Sequence, residues 1–304
     1  MEQTEKTVLA LGFFDGIHIG HGALLRRAKE RAEALGVTPA VLTFDVHPDI
    51  LVKGVPVALI NNAADRALIL ARYFGITKIL YFPFNNETAR TPWQDFLDRM
   101  VEEHGAVGFV VGHDFRFGDR GMGNPEKLRG WCEARGLSCD VIPAVSALGG
   151  VVSSTRIRAL IQDGQVEQAD QLLGHPHLLS GTVLHGFRNG RAMEFPTLNL
   201  RFDRDVLVPR HGVYATRVLL ADGTELGGVT NVGVRPTFGG EDGVTVETHL
   251  LHFHGDLYGQ TVTVEFLAFL RPERSFESPE ALKEQIRQDA AAAETIAAGK
   301  AWEA

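Results

Sequence analysis

The feature that most constrains this chain is a change of period near its middle. Up to about residue 150, short apolar runs (7–14, 38–44, 78–84, 107–112 and 139–145) read as strands. Between them lie 21–36, 63–75, 91–105 and 124–136, where apolar residues recur at helical spacing and each stretch closes on a glycine suited to a helix stop. Such alternation predicts a parallel sheet covered on both faces. Ligands of these sheets bind at the carboxyl ends of the strands, on the loops that lead into helices.

After about residue 180 the pattern becomes strand and turn. The segments 211–220, 245–253 and 260–270 read as strands, separated by glycine-rich turns at 221–228 and 239–243. Val262, Val264, Phe266, Ala268 and Leu270 alternate, which predicts a strand with one buried face. Short strands with such turns point to an antiparallel barrel or sandwich. Ser278 and Pro279 fit the N-cap and first position of a closing helix, and 155–180 reads as short helices. With 304 residues, two domains are expected.

The formal net charge of −8 argues against a protein whose affinity comes from a nucleic-acid backbone. No apolar stretch approaches the roughly twenty residues needed to span a bilayer, so no membrane segment is expected. The start is acidic and polar, unlike a signal peptide, which makes a cytoplasmic location the expectation. Cys132 and Cys139, the only cysteines, lack a metal-type pattern and suit a reducing compartment.

The stretch GFFDGIHIGH, from Gly12 to His21, sits at the first strand-to-helix turn. His18 and His21 fall at or just before the helix start, on one face, beside backbone N–H groups that lack helical partners. Phosphate binding fits, because a helix N-terminus favours anions, two imidazoles add directed donors, and Gly16, Gly20 and Gly22 permit close approach. A metal needs a third ligand that is not nearby, and general-base catalysis leaves the second histidine without a role. Two surface histidines at a capped turn are the plain alternative. Two further segments bear on the choice. VGHDFRFG (111–118) places His113, Asp114 and Arg116 after a buried strand, and SSTRIR (153–158) puts hydroxyls and guanidinium groups at a helix entry.

These three motifs, in this order, resemble the amino-terminal module of bifunctional prokaryotic FAD synthetases, which join riboflavin kinase to FMN adenylyltransferase. The resemblance implies a Rossmann-like α/β nucleotidyltransferase domain over 1–180. It implies that His18 and His21 are catalytic, and that Gly12, Phe13, Gly20, Ser154, Thr155 and Arg156 bind ATP phosphates. Asp114, Phe115 and Phe117 would shape the flavin pocket. No nucleophilic serine or cysteine is required, since the FMN phosphate is itself the nucleophile.

GRAMEFPTLNL (190–200), VPRHGVYATRV (208–218), NVGVRPTF (231–238), VETHLLHF (246–253) and GDLYGQTVTVEF (255–266) resemble the riboflavin kinase module of the same family. That resemblance implies a small closed antiparallel barrel with a C-terminal helix over 181–304. Thr197 and Asn199 would hold Mg²⁺ and the ATP phosphates, and Glu247 would be the base on the riboflavin hydroxyl. The family pattern G-F-P-T-A-N is altered here, with Glu194 for the glycine and Leu198 for the alanine. A carboxylate repels bound phosphates and a leucine between the ligands crowds the site, so a weakened kinase is an alternative reading. Two steps, riboflavin to FMN and FMN to FAD, with ATP and Mg²⁺, form the leading expectation. The rivals are an adenylyltransferase with an inert barrel, transfer to another phosphate ester, and flavin binding without turnover.

Overall fold

The computed structural model describes residues 5–184, 197–235 and 243–299. The chain forms two compact units. One comprises residues up to Ala58 together with Arg66–Ser153, and the other joins Leu59–Asp65 to residues from Ser154 onward.

The first unit is built on five parallel strands, β1 (Thr7–Leu11), β2 (Thr38–Phe44), β3 (Lys78–Phe82), β4 (Ala106–Gly112) and β5 (Ser138–Ile142), in the order β3-β2-β1-β4-β5. Helices α1 (Ile19–Leu35), α3 (Ala63–Phe74), α4 (Trp93–His104) and α5 (Pro125–Glu133) match the four expected ones. Every residue of β1 is buried. Leu9 and Leu11 meet Phe96, Leu97 and Met100 of α4 and Leu128 and Trp131 of α5, while α1 packs on the sheet with Leu25 and Ala28 buried. This is the two-sided burial that makes parallel strands read as unbroken apolar runs. Gly36 and Gly105, at φ of 65° and 64°, close α1 and α4 in the left-handed region. Helix α2 (Pro48–Lys53) was not expected, because its six residues bury no side chain and carry no periodic signal. A two-stranded hairpin, β6 (Ser146–Ala147) with β7 (Gly150–Val151), follows β5.

The strand order reverses at β1, with β2 on one side and β4 on the other. The crevice outside the carboxyl ends of β1 and β4 is where such sheets bind ligands. The loops after those strands hold the histidine motif and the VGHDFRFG segment.

The second unit begins with α6 (Ser154–Gln162) and α7 (Val166–Leu173). Strands β8 (His177–Leu184), β9 (Thr197–Arg201), β10 (Gly212–Leu219), β11 (Glu225–Arg235), β12 (Gly243–Leu250) and β13 (Thr261–Arg271) close an antiparallel barrel in the order β10-β11-β12-β9-β8-β13. Closure leaves no sheet edge, which decides barrel over sandwich. Tyr214, Val232, Val246 and Phe266 fill its interior with residues from all six strands. Helix α8 (Pro279–Gly299) covers Val213, Ala215 and Ala268 on the outside, and the Ser278 hydroxyl accepts the Ala281 N–H at 3.2 Å as its cap.

The single buried face expected for β13 is corrected in two ways. Thr263, Glu265 and Leu267 are buried as well, since α7 packs on the strand and Arg217 donates to Glu265 at 2.7 Å. The alternation also changes phase. Thr216 pairs with Phe266 but Ala215 pairs with Ala268, so Leu267 is an extra, bulged residue. Beyond it Ala268 and Leu270 turn out under α8, and Phe269 turns in.

Candidate active sites

The loop after β1 is shaped by backbone conformations that side chains rarely adopt. Phe14, Gly16 and Ile17 have φ of 59°, 78° and 41°. Phe14 and Ile17 are nonetheless fully buried. A β-branched residue in the left-handed region is strained by about 1–3 kcal/mol, and burial in the core holds it there. The turn delivers His18 as the N-cap of α1, where its Nδ1 accepts the His21 backbone N–H at 3.2 Å. With Nδ1 used as an acceptor, the proton of the neutral ring sits on Nε2. The two imidazoles stack, centroids 3.7 Å apart and planes 9° from parallel, and the Phe14 ring meets His21 edge-on with its centroid 5.1 Å away. Burial, and then the neighbouring His18, hold the His21 pKa well below the usual histidine range. The His21 ring is therefore neutral near pH 7. Gly20 has a specific reason to be glycine, since a Cβ there would meet the His18 ring at 3.0 Å. Gly12 likewise leaves room for the Phe14 ring, 3.1 Å from where its Cβ would be.

Sequence reasoning missed Arg66. It is buried, its guanidinium lies 4.3 Å over the Phe13 ring, and it donates to the Phe13 and Phe44 carbonyls at 3.3 Å each. Desolvation lowers its pKa, with Asp15 opposing. A buried cation with carbonyl partners pins the loop from beneath.

Of the three residues assigned to a flavin pocket, Phe117 lines a cavity of about 810 Å³ with Phe44, Phe82, Phe84 and Phe96. Phe115 stacks behind Phe117 at 5.6 Å rather than lining the cavity. The Asp114 side chain is 81% exposed, next to His113. Lys53, Arg116 and Arg120 also border the cavity. Flat apolar walls with cations at the border suit an aromatic ligand that carries phosphate. Ser154, Thr155 and Arg156 form the first turn of α6, in the second unit, where Thr155 is exposed.

In the barrel, Leu198 and Leu200 of β9 pack into the interior core, so Thr197 and Asn199 lie on the opposite face. Asn199 stands directly across from Glu247 of β12, and Thr197 across from His249. Asn231 of β11 is across from Glu247 on its other side. The crowding expected of Leu198 is thus corrected, because strand alternation turns it away from both proposed ligands. Residues 190–196, with Glu194, lie outside the described residues. Sequence reasoning also missed Asn231 and Glu273, which are joined by a hydrogen bond from Asn231 Nδ2 to Glu273 Oε1 at 3.3 Å. Among the described residues no group of three or more His, Cys, Asp or Glu side chains could hold a metal by itself. No described helix is long and apolar enough to cross a membrane.

Comparison with known proteins covers both units. The FAD synthetase family model matches residues 1–156, and the riboflavin kinase family model matches 173–297. A bifunctional riboflavin kinase/FMN adenylyltransferase from Pseudomonas fluorescens is 37% identical over 297 residues, covering 97% of this chain and 94% of its own. Proteins of the same description from Listeria monocytogenes and Escherichia coli K12 are each 34% identical, over 93% and 94% of this chain and 90% and 91% of theirs. A crystal structure described as a macrolide-efflux protein from Streptococcus pneumoniae matches with a TM-score of 0.84 at 30% identity, over 99% of this chain and 96% of that one. With both modules matched and relatives aligned over nearly their whole length, this chain belongs to the bifunctional riboflavin kinase/FMN adenylyltransferase family.

Proposed function

We propose that this protein makes FAD from riboflavin in two ATP-dependent steps, with the kinase step in residues 181–304 and adenylyl transfer in residues 1–180. The observation that carries the two-step reading is the barrel face on which Asn199 and Glu247 stand opposite each other while Leu198 is turned into the core. That geometry removes one of the two reasons for an inert barrel.

In the kinase step the riboflavin 5′-hydroxyl gives its proton to Glu247 as its oxygen bonds the γ-phosphorus and ADP leaves. Thr197 and Asn199 offer a hydroxyl and an amide oxygen beside this carboxylate, a hard donor set that fits Mg²⁺ shared with ATP phosphates. When bound, the ion neutralises phosphate charge. In the second step an FMN phosphate oxygen attacks the α-phosphorus of ATP, and the bond to pyrophosphate breaks. His18 and His21, stacked on each other, donate N–H groups to the phosphoryl oxygens where charge develops. The aromatic cavity takes the flavin ring against Phe117, with Arg116 and Arg120 near its phosphate. Two cysteines without a disulfide suit a cytoplasmic location.

Paired variants test the division of labour. Glu247→Gln should lower FMN formation from riboflavin about 10²–10⁴-fold and leave the conversion of supplied FMN to FAD intact. His21→Ala should do the reverse, slowing FAD formation far more than it weakens FMN binding. Loss of both activities in either variant would refute the assignment.

A further inference from the structure

Glu273 lies two residues past the end of β13, outside every motif on which the kinase resemblance rests. The chain's exit from the barrel is fixed just before it. Arg271 donates to Asp289 of α8 at 2.8 and 3.0 Å, and Pro272 follows. This exit carries the Glu273 carboxylate over β11, where it accepts from Asn231 and lies against Gly233. A Cβ on Gly233 would come within 2.9 Å of its carboxyl carbon. Asn231, Glu247 and Asn199 form one row across β11, β12 and β9. Directly opposite residues of neighbouring strands bring their Cβ atoms to about 5 Å.

An ionised carboxylate only accepts hydrogen bonds, so Glu273 fixes which end of the Asn231 amide faces it. The amide oxygen and second N–H are then held in one orientation beside Glu247. We propose that Glu273 is a positioning residue of the kinase site, acting through Asn231 to set the polar edge against which the substrate hydroxyl is aligned on Glu247. The proposal rests on the kinase reading above. Phosphoryl transfer depends on alignment, so a loosened amide lowers the rate even with every ligand to ATP in place.

The test is a double-mutant cycle with Glu273→Gln, Asn231→Ala and the combination, measuring kcat and KM for riboflavin and ATP. FAD formation from supplied FMN is measured in the same preparations. Glutamine presents either amide end to Asn231, so Glu273→Gln should lower kcat about tenfold while the KM for ATP stays within about twofold. Asn231→Ala should cause a similar loss, and the double variant should be no worse than Asn231→Ala alone. FAD formation from FMN should be unchanged in all three. Wild-type kcat in Glu273→Gln, or losses that multiply in the double variant, would overturn the proposal. So would a parallel loss of FAD formation, which would mark a structural role. Wild-type protein that makes no FMN would instead remove the kinase reading, and this assignment with it.

Discussion

Replacing His18 with alanine removes a helix cap and, on the proposed function, a phosphate donor together, and the two losses differ in size. The imidazole caps α1 through the 3.2 Å bond from the His21 N–H and stacks on the His21 ring. Loss of a side-chain cap costs about 1 kcal/mol, and the buried stack adds a comparable amount. A loss of about 2 kcal/mol lowers the melting temperature of a domain this size by roughly 4–8 °C. Losing a donor to developing phosphoryl charge slows chemistry by about 10²–10³-fold. Asparagine separates the two effects, because it is among the best capping residues yet lacks the imidazole Nε2–H. His18→Asn should recover most of the stability lost by His18→Ala while its rate stays low. The assay is a melting curve beside FAD formation from FMN and ATP, resolved by chromatography. Recovery of the rate along with stability in His18→Asn would refute the reasoning and leave His18 as a cap alone.

Two further outcomes follow from buried groups. Burial, with His175 adding to it, lowers the His177 pKa to about 3, from a usual value near 6.5. The unfolded chain therefore takes up a proton on His177 that the folded chain refuses, so its contribution is complete above pH 6.5 and is lost as the pH falls toward 3. His177→Phe, which keeps a ring against Phe266, should flatten the acid loss of stability in that window by up to about 5 kcal/mol. An unchanged pH dependence of unfolding would contradict this. Leu198→Ala restores the family's residue but empties part of the barrel core, so it should destabilise the protein by about 1–3 kcal/mol without raising kinase kcat. A faster kinase at unchanged stability would reinstate crowding by Leu198.

Elements with a strong period were legible before the structure. The five parallel strands, the four long helices of the first unit, and the Ser278 cap of α8 follow from apolar spacing and local cap chemistry, which act within a few residues. The placement of His18 at the start of α1 is legible for the same reason. What was not legible depends on partners far along the chain. Arg66 reaches Phe13 across 53 positions, and Asn231 reaches Glu273 across 42. Neither pair leaves a spacing signal. The phase change in β13 depends on its pairing with β10, so five alternating apolar residues read as one face although the last two belong to the other. Phe115 and Phe117 look equivalent in sequence, and only packing shows that Phe117 lines the cavity.

The most direct test of the central claim is a time course of purified wild-type protein with riboflavin, ATP and Mg²⁺, with the flavins separated by chromatography. FMN should appear first and FAD after it, showing both sites at work in one chain. Riboflavin that stays unchanged while supplied FMN becomes FAD would contradict the two-step account and leave the barrel without its chemistry.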